Sequence, residues 1–215
     1  QRVLLEVTYE AMENAGISID SIKGSNTGVY IATFNHDYEN MMYHDSLSLP
    51  KYGMTGIGTA IASNRISYFF DLKGPSLSLD TGCSGGLVSL HQACQSLRCG
   101  ETNTAFVGGT NLILSPDTMI SMDNLHILNE NGTCYPFDSR GSGYGRGEGA
   151  ALVILKRLDD ALKAGDSIRA VIRNTVVGQD GRTRGVTLPN GDAQESLIRS
   201  AYKAISLKPC YTGYV

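Results

Sequence analysis

Apolar and small residues recur at helical spacing at Leu4, Thr8, Ala11, Met12 and Ala15, which predicts an opening helix closed by Gly16. Residues 27–33 alternate around Val29 and Ile31 and predict a strand. Residues 35–55 are polar and irregular, with Tyr, Met and His interspersed, and read as loop. Ile57, Ala60, Ile61 and Tyr68 predict a second helix. Residues 75–80 alternate with a period of two, hence a strand. A turn of small residues, 81–86, leads into a helix carrying Leu87, Leu90, His91, Cys94 and Leu97, with Gly100 at its end. Residues 104–107 predict a strand closed by Gly108 and Gly109, and residues 117–128 a helix with Pro116 at its start.

A long loop, 129–149, precedes a strand at 150–156 and a short helix at 158–164. Residues 168–177 alternate again and predict a further strand. Asp192 and Glu195 have capping-box spacing ahead of a helix carrying Leu197, Ile198, Ala201, Tyr202 and Ile205. Strands and helices alternate throughout, so the fold class is α/β. A composition break at 163–167 divides the chain into two expected units, 1–164 and 165–215.

Composition narrows the classes. A chain of 215 residues holds one to two domains at about 150 residues each. With 41% hydrophobic and 18% charged residues, disorder is excluded. A net charge of −3 without a basic tract argues against a nucleic-acid binder. No apolar run approaches the roughly 18 residues of a membrane span. The five cysteines form no C-x-x-C pair, so neither a zinc site nor a disulfide framework is expected. Reduced thiols and a cytoplasmic location are the expectation. Asn131-Gly132-Thr133 matches a glycosylation sequon that arises often by chance and is not expected to be used. The chain starts at Gln1 and stops at Val215 in what reads as the start of a strand, so a piece of a longer protein is expected.

The strand–turn–helix at 75–99 carries the chemistry. A side chain on such a turn stands outside the sheet at a helix N-terminus, where free amides can bind an oxyanion. Cys83 is the candidate nucleophile, and a small buried cysteine is the competing structural reading. A helix terminus contributes only about 0.3–1 kcal/mol. An unperturbed thiol has a pKa of about 8.5, so strong activation needs a further partner such as a His.

The same turn fits G-x-S-x-G, with Ser84 as the nucleophile of a serine hydrolase. That reading needs a later acid and a His. Only His91 and His126 follow. His91 lies on the apolar helix face as a packed residue, and Asp123 is too near His126 to resemble the usual arrangement. Residues 145–150 fit G-x-G-x-x-A but open a strand, which argues against dinucleotide binding. The alternating glycines from Gly143 to Gly149 instead predict a tight loop, with Arg146 and Glu148 seeking partners. His36, Asp37, His44 and Asp45 lie close in sequence without a spacing that converges them on a metal, and read as a solvated loop.

Asp80-Thr81-Gly82-Cys83-Ser84-Gly85-Gly86-Leu87 resembles the active-site cysteine motif of β-ketoacyl synthases. Pro136-Phe137-Asp138, continuing through Gly143 to Gly149, resembles a second signature of that family. Gln179-Asp180-Gly181-Arg182-Thr183 followed by Thr187-Leu188-Pro189-Asn190 resembles a third. Order and spacing agree over essentially the whole chain, and the combination is more specific than any one motif. The chain resembles the ketosynthase domain of a type I polyketide synthase. Residues 111–117 and 139–144 look most like fungal reducing synthases.

The resemblance implies a thiolase-like layered α/β/α/β/α fold, usually a homodimer. The chain would hold most of the N-terminal half (1–164) and the opening of the C-terminal half (165–215). It implies that Cys83, with its backbone N–H as an oxyanion donor, accepts an acyl group. Decarboxylative Claisen condensation with a malonyl-type carrier-protein thioester then follows. No metal or directly bound cofactor is implied, because the phosphopantetheine of an acyl carrier protein carries the substrates. The family's two His and its second oxyanion amide match positions beyond Val215, so the isolated chain is expected to be inactive and poorly soluble. Gly82, Gly85 and Gly86 stand where relatives often carry Ala and Ser. Gly178 stands where Asn is common, and Arg184 where a less charged residue is common. The alternatives are a fatty-acid elongating synthase or thiolase, the serine hydrolase through Ser84, and a non-catalytic carrier-binding scaffold or decarboxylase-like partner. Cys83 argues against the decarboxylase-like partner, and the carrier-binding scaffold stays open if the parent protein lacks both His.

Overall fold

In the computed structural model, which describes all 215 residues, the alternation at residues 27–33 becomes a central strand, β1 (Thr27–Thr33). It is flanked by β2 (Ser76–Leu79) and β3 (Thr104–Asn111), both parallel to it. β4 (Gly149–Lys156) runs antiparallel to β3, so the sheet order is β2-β1-β3-β4. β1 is buried on both faces, so its alternation sorts side chains between two cores rather than between core and solvent.

Side-chain alternation divides the core in two. Val29 and Ile31 of β1, with Phe106 of β3, meet Leu4 and Met12 of α1 (Arg2–Ala15) and Ile66 of α5 (Thr59–Phe69). Tyr30, Ala105 and Val107 point the other way, against Ala93 and Leu97 of α6 (Gly85–Cys99). The register Val29↔Phe106 and Tyr30↔Val107 keeps each set on one face. Each fully buried Val, Ile or Phe contributes about 1.5–3 kcal/mol. The α/β expectation therefore holds as helices on both faces of a mixed sheet. Gly16 and Gly100 end α1 and α6 in the left-handed region, as expected.

Several sequence expectations need correction. Residues 35–57 hold two short helices, α3 (Asp37–Tyr43) and α4 (Gly53–Ile57), and the pattern also does not predict α2 (Ile19–Ile22), which Ser18 caps. Gly108 and Gly109 continue β3 rather than close it, because both are paired to β1 on one side and β4 on the other. A side chain at Gly108 would run into the Ala151 carbonyl, so the missing Cβ is what lets β4 approach. α7 (Asp117–Asn124) stops four residues early, and His126 then takes a positive φ of 54°.

Residues 168–177 alternate but form no strand: no other strand of the chain offers them a ladder. The segment instead lies against α6 and α9 (Gly191–Lys203), with Asn174 Nδ2 donating to the Ala201 carbonyl at 2.9 Å. The capping box at Asp192 and Glu195 also fails. Asn190 caps α9 by accepting from the Ala193 amide at 3.2 Å, and Glu195 pairs with Arg199. α8 (Leu158–Ala164) follows β4 as expected, and a short 3-10 turn, Pro209–Tyr211, lies near the end. Apolar side chains stand exposed at Leu87, Val171, Ile172, Val177 and Ile198. No helix is long and apolar enough to cross a membrane.

Candidate active site

β2 ends at Leu79 and α6 begins at Gly85; the turn between them is built from its own polar groups. The Gly82 amide donates to Asp80 Oδ1 at 2.7 Å, and Gly82 sits at φ 64°. A Cβ on Gly82 would meet nothing, so conformation rather than space calls for glycine there. The Ser84 hydroxyl donates to the Thr81 carbonyl at 3.0 Å and lies 2.8 Å from Thr81 Oγ1. The Gly85 amide donates to the Gly82 carbonyl at 3.1 Å.

This turn presents Cys83 with its side chain exposed, one residue before the N-cap of the 15-residue α6. The Gly82 and Gly85 amides are engaged within the turn, whereas no hydrogen bond holds that of Cys83. No side chain of the chain hydrogen-bonds the Cys83 thiol. Ser84 has its hydroxyl committed to Thr81, so the hydrolase reading gains no support.

The four histidines are placed elsewhere. His91 Nδ1 lies 2.9 Å from Thr175 Oγ1, on the α6 side facing residues 168–177. His36 Nδ1 lies 3.0 Å from Glu39 Oε2, and Asp37 turns inward, so the His/Asp cluster of residues 36–45 is taken apart by α3. His126 stands on the positive-φ turn after α7.

Asp37 is the residue that the sequence concealed best. It is 3% exposed, and its carboxylate accepts from the Leu114 and Ser115 amides at 2.9 and 3.0 Å and from Thr118 Oγ1 at 3.2 Å. Burial alone would raise its pKa. Those three donors, with the Arg146 charge, outweigh burial and hold the carboxyl below the ordinary Asp value. Its partners lie 77 to 81 residues away, so no local pattern could reveal it.

The alternating-glycine loop joins the same cluster. Glu148 Oε1 accepts from the Ile113 amide at 2.5 Å, and Asn111 Nδ2 donates to the Gly147 carbonyl at 2.7 Å. The Arg146 guanidinium lies 5.5 Å from the Phe34 ring centroid. Its Nε and Nη2 are buried without a partner, as are Asn35 Oδ1 and Asn111 Oδ1. The exits of β1 and β3 are thus tied to the glycine loop. Gly143 and Gly145 press on the backbone of Leu128 and Gly132, whereas Gly147 and Gly149 face open space.

The third signature closes on itself. The Asn190 amide donates to Asp180 Oδ2, and Asn190 Nδ2 to the Asp180 carbonyl, both at 3.0 Å. Arg182 and Arg184 line a cavity of about 350 Å³ beside Asn190 that does not include Cys83. A Cβ on Gly178 would come within 2.9 Å of Leu197 Cδ1 on α9, the mobile end of a side chain that can rotate aside.

Three comparisons bear on this geometry. The family described as β-ketoacyl synthase, N-terminal domain, matches residues 1–161. The highly reducing polyketide synthase sdnO of Sordaria araneosa is 57% identical over 215 residues, all of this chain and 7% of that protein. The partially reducing polyketide synthase men1 of Menisporopsis theobromae is 53% identical over 214 residues, all of this chain and 8% of that protein. Among solved structures, the ketosynthase from module 6 of the bacillaene synthase of Bacillus subtilis 168 superposes with a TM-score of 0.89 at 36% identity. It covers 97% of this chain and 35% of that one. The thiolase-like α/β expectation is supported by this likeness. The chain spans less than a tenth of the curated relatives and about a third of the solved ketosynthase.

Proposed function

The chain belongs to the β-ketoacyl synthase family, and on that premise we propose that it contributes the acyl-accepting cysteine of a polyketide-synthase ketosynthase. Residues 1–164 form most of the N-terminal half of that domain, and residues 165–215 open the C-terminal half. The domain acts in the cytoplasm as a homodimer.

The Cys83 thiolate attacks the carbonyl of an acyl thioester on the phosphopantetheine arm of an acyl carrier protein. The pantetheine thiol leaves with a proton. A malonyl-type thioester on a carrier then loses CO₂, and the electron pair of the broken bond forms an enolate. Its α-carbon attacks the acyl-Cys83 carbonyl. The tetrahedral oxyanion collapses, Cys83 leaves as thiolate, and a β-ketoacyl carrier thioester is released. The unengaged Cys83 amide is a donor for that oxyanion. In the family the groups that promote decarboxylation are two His, and no histidine of this chain falls at either motif. The 215-residue chain by itself is therefore inactive in condensation.

The observation carrying this reading is the exposed thiol of Cys83 beside an unengaged amide at the start of α6. The test is acyl loading of the full-length synthase followed by peptide mapping. The acyl group is expected on Cys83 and lost in Cys83→Ala. An acyl group mapped to Ser84 or another cysteine overturns the reading.

A further inference from the structure

Ala32 stands where α6 comes closest to the sheet. Going up β1, the residues facing α6 shrink from Tyr30 to Ala32; on β3 they shrink from Val107 to Gly109. The register pairs Ala32 with Gly109 on one side and with Leu79, the last residue of β2, on the other. The taper leaves room for the first turn of α6, and Gly85 fills it. Gly85 is buried, and a Cβ built on it would lie 2.9 Å from the Ala32 Cβ. A Cβ on Gly109 would lie 3.4 Å from the same methyl.

Neither partner can yield. An alanine methyl has no rotamer to move into, and β1 is fixed by ladders on both edges. Any side chain at Gly85 must therefore lift the start of α6 off the sheet. Cys83 is two residues away in the same turn, and the Gly85 amide is bonded to the Gly82 carbonyl, so the turn moves with the helix. Gly82 and Gly86 differ from Gly85 in this respect, because a Cβ at either meets nothing.

We propose that Ala32 is a positioning residue for Cys83, acting through Gly85: the methyl at 32 and the hydrogen at 85 form one size-matched pair that sets the height of the nucleophile turn above the sheet. The proposal rests on the functional reading of Cys83 given above. A Ser at position 85 is incompatible with the methyl of Ala32 in this sheet.

The experiment uses the full-length synthase with Gly85→Ser, Ala32→Gly and the double variant. Single-turnover loading from an acyl-carrier thioester is read with peptide mapping, and hydrogen exchange across α6 reports folding. Gly85→Ser is expected to slow Cys83 loading at saturating thioester at least tenfold, with the half-saturating concentration within twofold of the parent. Adding Ala32→Gly is expected to restore loading to within threefold of the parent. If Gly85→Ser alone does not fold, the double variant decides: recovered exchange protection with recovered loading supports the pairing. Recovered protection without recovered loading overturns it, as does parent-like loading in Gly85→Ser. If the unmodified synthase carries its acyl group away from Cys83, the functional reading itself falls, an outcome seen in the parent before any variant is compared.

Discussion

His91 Nδ1 lies 2.9 Å from Thr175 Oγ1 and ties the middle of α6 to the extended segment 168–177. His91 is six residues into the helix from Gly85, about 9 Å along its axis at roughly 1.5 Å per residue. That placement and that bond predict a structural link rather than a base for Cys83.

Replacing it separates the two roles. His91→Ala in the full-length synthase is expected to leave the rate of Cys83 acyl loading within about threefold of the parent. The lost hydrogen bond costs about 1 kcal/mol and shows as faster hydrogen exchange in residues 168–177. A loading rate reduced a hundredfold would assign His91 to the chemistry.

The four alternating glycines are not equivalent. Gly145→Ala drives a methyl into the Gly132 carbonyl, a backbone atom that cannot rotate aside. It is expected to destabilise the domain by about 1–3 kcal/mol. Gly147→Ala meets nothing and is expected to change stability by less than about 0.5 kcal/mol. Chemical denaturation of the intact domain checks both, and equal effects would refute the distinction.

Helix α9 depends on Asn190 and not on Asp192. Asn190→Ala removes the bond from the Ala193 amide and one bond to Asp180. A lost cap costs about 0.5–2 kcal/mol. The first turn of α9 is expected to exchange its amide protons several-fold faster, while Asp192→Ala leaves that rate near the parent value. The reverse ranking would restore the capping-box reading.

Asp37 makes stability depend on pH in a defined direction. Its folded pKa is depressed, so its contribution is fully present above the unfolded value of about 3.9 and fades as pH falls through the lower folded value. Asp37→Asn is expected to lower the melting temperature of the intact domain at pH 7. That gap should narrow steadily below about pH 4. A gap that stays constant from pH 7 to the acid limit would show that the charge of Asp37 contributes nothing.

Local pattern was a good guide wherever local forces decide. The β1 alternation, the Gly16 and Gly100 stops, and the strand–turn–helix around Cys83 each depend on neighbours within a few residues. The pattern misled where pairing partners decide. Gly108 and Gly109 look like a strand end, yet β1 and β4 enclose them. Residues 168–177 alternate as a strand does, and within these 215 residues no strand lies beside them to pair.

The sequence by itself determined the α/β class, the family and the identity of the nucleophile candidate, because motif order, turn chemistry and hydrophobic period are all written along the chain. Only the tertiary structure decided that Asp37 is a buried tie and that Arg146 faces Phe34. It also decided that Asn190 closes on Asp180 and that Ala32 limits the size of residue 85. Of these, the Asp37, Arg146 and Ala32 contacts join residues more than fifty positions apart. Their physical basis is excluded volume and hydrogen-bond satisfaction in a packed interior, and these exist only once the sheet has brought distant segments into contact.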